Sequence, residues 1–155
     1  MMETKLEQEK YVESSKMIIK EFFQEYFPDL KVVFTIPDLA NNELNLKEPV
    51  MVVEFNASRS IDRRSGRNNG KGQRAKRKQL RFSFQIVCAG DAHSLMKRDR
   101  LVQEIEYLGS KHEIVSEFAK SGLQNVDIRF MNSYRVRENV HLSRLEMHTM
   151  ITIVN

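Results

Sequence analysis

The residues with the clearest chemical capacity in this 155-residue chain are eight cations packed into one short run, RRSGRNNGKGQRAKRK. Arg63, Arg64, Arg67, Lys71, Arg74, Lys76, Arg77 and Lys78 stand there with no acid among them, beside half of the chain's six glycines. Cations on a glycine-softened backbone suit phosphate contact, because each neutralised phosphate releases condensed counterions. The run holds no Phe, Tyr or Trp, so the stacking platform of single-strand binders is missing. Its glycines also oppose a base-reading helix. Any contact with nucleic acid through this run is therefore expected to be electrostatic and blind to sequence. A solvated loop that touches an acidic protein surface, or nothing, is the competing reading.

Reaction chemistry is harder to find. A metal-dependent nuclease places one acid before a strand and a Glu-x-Lys on it, so that two carboxylates hold Mg²⁺ beside a cation. Asp38 follows Pro37 and Glu54 lies in VEFNA, but Asn56 occupies the lysine position and supplies no charge. His141 and His148 are seven apart, which on a strand sends them to opposite faces, and His93 and His112 lack a ligand pattern around them. GRNNGKGQ has no Ser or Thr after its lysine, and no Gly-x-Ser-x-Gly elbow occurs. The lone cysteine, Cys88, cannot close an internal disulfide and reads as a small buried hydrophobe. No catalytic residue, cofactor site or metal site is expected.

The elements around these residues follow from periodicity. Val12, Met17, Ile18, Ile19, Phe22, Phe23 and Tyr26 recur at helical spacing, predicting a helix from Lys5 to Phe27 that Pro28 stops. KVVFTI from Lys31 to Ile36 predicts a short strand. PVMVVEFNAS from Pro49 to Ser58 is apolar on both faces and belongs inside a sheet. LRFSFQIVC alternates strictly, with Leu80, Phe82, Phe84, Ile86 and Cys88 on one face and Arg81, Ser83 and Gln85 on the other. The last two strands pair antiparallel, which makes 62–79 a flexible basic hairpin loop of a length that is functional or disordered in most domains. Asp91 is an N-cap for a second helix with Leu95, Leu101, Val102, Ile105 and Leu108 inward and Gly109 at its end. A shorter helix runs from His112 to Ser121, and two strands joined through Glu138-Asn139 close the chain. Met96, Tyr107 and Tyr134 stay open between core and interface. The order α-β-β-(long basic loop)-β-α-α-β-β, without repeated β-α-β alternation, predicts an α+β class: a mostly antiparallel sheet flanked by helices, in a single domain over 1–155.

Bulk numbers agree with a folded domain. The chain is 41% hydrophobic and 30% charged, with no apolar run of bilayer length, so no membrane is expected among its partners. MMETKLEQEK is polar and acidic where a secretory signal is basic and then apolar, predicting intracellular synthesis. The net charge is +4, yet the eight cations of 63–78 exceed it, which leaves the remainder at −4. A mildly acidic body carries one strongly basic insert.

Over roughly residues 10–154 this order is similar to that of the tail terminator proteins of long-tailed bacteriophages, also called tail completion or tail-to-head joining proteins. The likeness is carried by the N-terminal amphipathic helix, the two strands, and the long hairpin loop. RFSFQIVCAGDAHSLMKRDRLVQEIEYL then passes from strand into helix, and RLEMHTMITIVN closes the chain. The resemblance implies a structural virion protein and no enzyme. It would be a ring, commonly hexameric, that caps the tail tube, meets a neck or head-completion protein, and lets genomic DNA pass through its lumen. It further implies a place in the virion tail or neck, reached by assembly in the host cytoplasm. Strong basicity of the loop is not a hallmark of that family, so its facing DNA, tube or solvent stays open. A free-standing, sequence-nonspecific nucleic-acid-binding module using the same cations is the alternative, and the nuclease is a third.

Overall fold

Alternation along Leu80 to Cys88 organises the molecule. A computed structural model describes residues 6–7, 10–35, 48–61, 75–137 and 139–154. The alternating segment lies within a fifteen-residue strand, and all five of its even-numbered apolar side chains are buried. The described elements are β1 (Leu6–Glu7), α1 (Tyr11–Tyr26), β2 (Lys31–Val33), β3 (Val50–Ser60) and β4 (Ala75–Ala89), then α2 (Ala92–Ser110), α3 (His112–Lys120), β5 (Gln124–Arg137) and β6 (Val140–Val154). The class is α+β, with three helices and one mixed sheet. Three long ladders, β3–β4, β4–β6 and β5–β6, are antiparallel, while the short β1–β6 and β2–β3 ladders are parallel. Across the sheet, β5 and β1 share one side of β6, followed by β4, β3 and finally β2 at the far edge.

At two of the boundaries that differ from the sequence reading, the sheet is the cause. The first helix starts at Tyr11 and not at Lys5, because Leu6 and Glu7 pair with Ile153 and Val154. Leu6 is buried by that pairing. The hairpin strands also reach further into the basic run than the span 62–79 supposes. Ser60 lies opposite Lys78, the Ile61 N–H donates to the Arg77 carbonyl at 3.1 Å, and β6 continues opposite β4 as far as Ala75. Lys78 and Gln79 have strand partners on both sides and Lys76 and Arg77 pair with β6, so all four belong to β4 and not to a loop.

All three helices contribute to the core on one face of the sheet. Ile19 and Phe23 of α1, Ile105 and Leu108 of α2, and Phe118 of α3 meet Met51, Phe82, Phe84, Leu145 and Met147. Phe23 stands at the junction, edge-on to Phe84 at 5.4 Å between ring centroids and 6.3 Å from Phe118. Fully burying such a ring stabilises a fold by about 2–3 kcal/mol.

The helix ends show how local sequence sets these positions. The Asp91 carboxylate accepts from the backbone N–H of His93 and Ser94 and so caps α2. That helix does not end at Gly109 but continues to Ser110. The glycine is needed for approach: a Cβ there would lie 2.7 Å from the Cβ of Ile128 on β5. α3 ends where Gly122 takes φ 109°, with Leu123 N–H donating to the Phe118 carbonyl and Gly122 N–H to that of Ala119. This left-handed cap satisfies two end carbonyls and brings Leu123 against the helix. Within α2 the buried stripe includes Ser94 and Arg98, whereas Leu95 and Leu101 are only part-buried. Met96, Tyr107 and Tyr134 are all exposed.

Candidate interaction surface

The sheet face turned away from the helices carries the chain's polar rows, and pairing register fixes their order. Side chains directly opposite one another on neighbouring strands share a face. At the end near Ala89 the row is apolar: Val50, Val87, Leu142 and Tyr134. Moving toward the basic hairpin, a row of Glu54, Ser83, Glu146 and Arg129 is followed by Ala57, Arg81, His148 and Asp127. Beyond these stand Arg59 with Gln79 and Met150, and then Arg77 beside Thr152. The face therefore changes from apolar to cationic along its length.

Its charges are only partly balanced. Arg129 pairs with Asp127 at 2.7 Å, and Glu146 receives Arg144 at 3.3 Å and His148 at 3.5 Å. Arg59 donates to Gln79 Oε1 at 3.0 Å, a neutral acceptor. Arg77 and Arg81 are exposed and have no carboxylate partner among the described residues. Two open cavities of about 240 Å³ each adjoin His148, one beside Asp127 and Arg129, the other beside Arg59 and Arg81. Further from the hairpin, the cross-strand neighbours Gln85 and Arg144 bury Oε1 and Nε without a partner. Arg59 and Arg81, which line one cavity, can hold an anionic group by charge-assisted hydrogen bonds, with Arg77 further along the same face.

The cations read from the sequence divide in three. Arg63, Arg64, Arg67, Lys71 and Arg74 lie outside the described residues. Lys76 and Lys78 sit opposite Ile153 and Ile151 on the helix side, and Lys78 Nζ is 4.9 Å from the centre of the Tyr11 ring. Arg77 takes the other face. Strand alternation thus splits what reads in sequence as one block. Arg59 falls outside the sequence reading, because strand β3 runs past Ser58. Arg81 is legible there as part of the polar side of LRFSFQIVC.

Of the residues in the nuclease reading, Asn56 has another occupation. Asn56, at a register shift between Phe55 and Ala57, donates its amide to Ser83 Oγ. Glu54 is half-buried, and Asp38 lies outside the described residues. His148 and His141 face opposite sides of β6. Burial pushes the Cys88 thiol up, away from the reactive thiolate. Among the described residues no helix is long and apolar enough to cross a membrane, and no three metal-ligating side chains converge. No known family model matches the chain, and no curated protein matches it either.

Proposed function

We propose that this chain is a structural virion subunit that resembles phage tail terminators. Its copies close into a hexameric ring that caps a tail tube, joins it to a head or neck protein, and passes DNA through the lumen. The observation that supports this most is the path through the β3–β4 hairpin. Two long antiparallel strands flank residues 62–74, β4 itself carries Lys76, Arg77 and Lys78, and it then enters α2 through Gly90 and the Asp91 cap without an intervening element. That is the stretch on which the resemblance rests. In a closed ring every subunit presents its hairpin in an equivalent place, so the run of cations would be displayed with the ring's symmetry. Light scattering and negative-stain microscopy of the purified chain test the reading. A hexameric annulus is expected; a monomer at every concentration reached would sink it.

The second reading, a free-standing module that holds nucleic acid without regard to sequence, is favoured by one observation. Arg59, Arg77 and Arg81 extend the basic run onto the sheet face. It requires salt-sensitive binding of a random duplex by the monomer. A monomer that binds no duplex at low salt excludes it. Magnesium-dependent cleavage of that duplex, lost in Glu54→Ala, would instead bring back the nuclease.

A further inference from the structure

Strand pleating sorts the cations near the hairpin into two sets. Arg59 of β3 and Arg77 and Arg81 of β4 lie on the face away from the helices, while Lys76 and Lys78 lie on the helix side. Along β4 the arginines occupy successive rows of that outer face: Arg77 beside Thr152, then Gln79 with Arg59, then Arg81 between Ala57 and His148. Arg59 belongs to the neighbouring strand, but its Nη2 donates to Gln79 Oε1 at 3.0 Å, which keeps its head at the row between the other two. Same-face rows of a strand repeat about every 6.8 Å. That is close to the separation of successive phosphates along one nucleic-acid strand. All three arginines are exposed, and none has a carboxylate partner among the described residues. The nearest acids are engaged or displaced along the strand. Asp127, opposite His148, is held by Arg129 at 2.7 Å, and Glu146 stands one row further with Glu54 and Ser83.

We infer that this row is a seat for the sugar-phosphate backbone of one nucleic-acid strand, laid along β4 with three successive phosphates at Arg77, Arg59 and Arg81. A guanidinium meets a phosphate through two parallel hydrogen bonds, which fixes direction as well as charge. The seat ends at Arg81, because a further phosphate would face Glu54 and Glu146 in the next row. No Phe, Tyr or Trp stands in the three rows, so the seat holds backbone without stacking a base and reads no sequence. Periodicity selects a nucleic acid over an acidic protein surface. A backbone repeats its charge at a fixed interval, whereas carboxylates on a folded surface do not. The seat also cuts across the basic block of the sequence: Arg59 and Arg81 lie outside that block, and Lys76 and Lys78 within it fall on the opposite face.

The seat rests on nucleic acid being a partner, as both readings above have it, and the test separates the two. Labelled single strand and duplex, each of random sequence, are titrated by fluorescence anisotropy over about 50 to 200 mM salt. Arg59→Gln, Arg77→Gln and Arg81→Gln should each make the slope of log K against log salt shallower, by about 0.7 on the single strand and about 0.9 on the duplex. All three effects are expected on the single strand, because one backbone fills the seat. Lys76→Gln and Lys78→Gln should keep the parent's slope on both probes, and circular dichroism confirms that each variant folds. Three outcomes would overturn the seat and leave nucleic-acid binding standing: folded arginine variants with the parent's slope, lysine variants that match Arg77→Gln, or arginine effects confined to the duplex. Tighter binding of poly-glutamate than of a single strand of equal charge, lost in the same three variants, would give the row to an acidic protein surface instead. A parent that binds neither probe at low salt overturns the seat together with the nucleic-acid module, and leaves the ring to its own size measurement.

Discussion

Asp91 shows how much one side chain organises at the junction between sheet and helix. Its carboxylate is held below the usual carboxylate range, chiefly by the Ser94 N–H and further by that of His93. A depressed folded-state pKa contributes stability above the unfolded-state pKa, and this is lost as pH falls through the folded-state value. Asp91→Ala should therefore lower Tm at neutral pH, and the gap from the parent should close on acidification. Thermal melts monitored by circular dichroism from neutral pH into the acid range check this; a gap independent of pH would show that the carboxylate charge is not the source. The neighbouring cysteine asks for no functional account. Cys88 is buried at the end of β4, where a thiol behaves as a small apolar group.

Between elements, α2 comes close to β5 at Gly109. A methyl group there meets Ile128 Cβ at 2.7 Å and Cγ1 at 2.9 Å, so helix or strand must move. Gly109→Ala is expected to destabilise by about 1–3 kcal/mol, as overpacking does, despite alanine's better helix propensity. Urea titration measures it, and a neutral or stabilising result would mean that α2 is free to shift on the sheet. The hairpin strands are a second element-scale matter. They run past the limits expected from composition, because backbone groups paired with β6 and, at Lys78 and Gln79, with β3 as well are satisfied by pairing whatever their side-chain charge.

At the scale of the whole molecule, charge separates the readings. Closely spaced basic hairpins in a ring repel unless salt, acids or DNA compensate them. If Arg59, Arg77 and Arg81 each neutralise a phosphate, replacing all three by Ser should weaken binding to every duplex sequence alike. The slope of log K against log salt should also become shallower by about 0.9 for each phosphate left without its arginine. Fluorescence anisotropy over about 50 to 200 mM salt reads both quantities. An unchanged slope would place all DNA contact elsewhere than the sheet face.

Much of the architecture is legible in the sequence itself. The alternation of Leu80 to Cys88, the two-faced apolarity of Val50 to Val53 and the Asp91 cap depend on neighbours in sequence, and such signals survive without knowledge of the fold. The candidate surface was legible only in part. Arg81 was visible on the polar side of an alternating strand, whereas Arg59 gained meaning only through its register with Gln79. The split of Lys76 and Lys78 from Arg77 needed the knowledge that 75–79 is strand. The short β1 and the parallel pairing at both sheet edges came from tertiary structure alone. Local periodicity determines which face of an element is apolar, because burial acts on each side chain where it stands. Which elements become neighbours, and which edges remain unpaired, depends on contacts between residues far apart in sequence, such as Leu6 with Ile153.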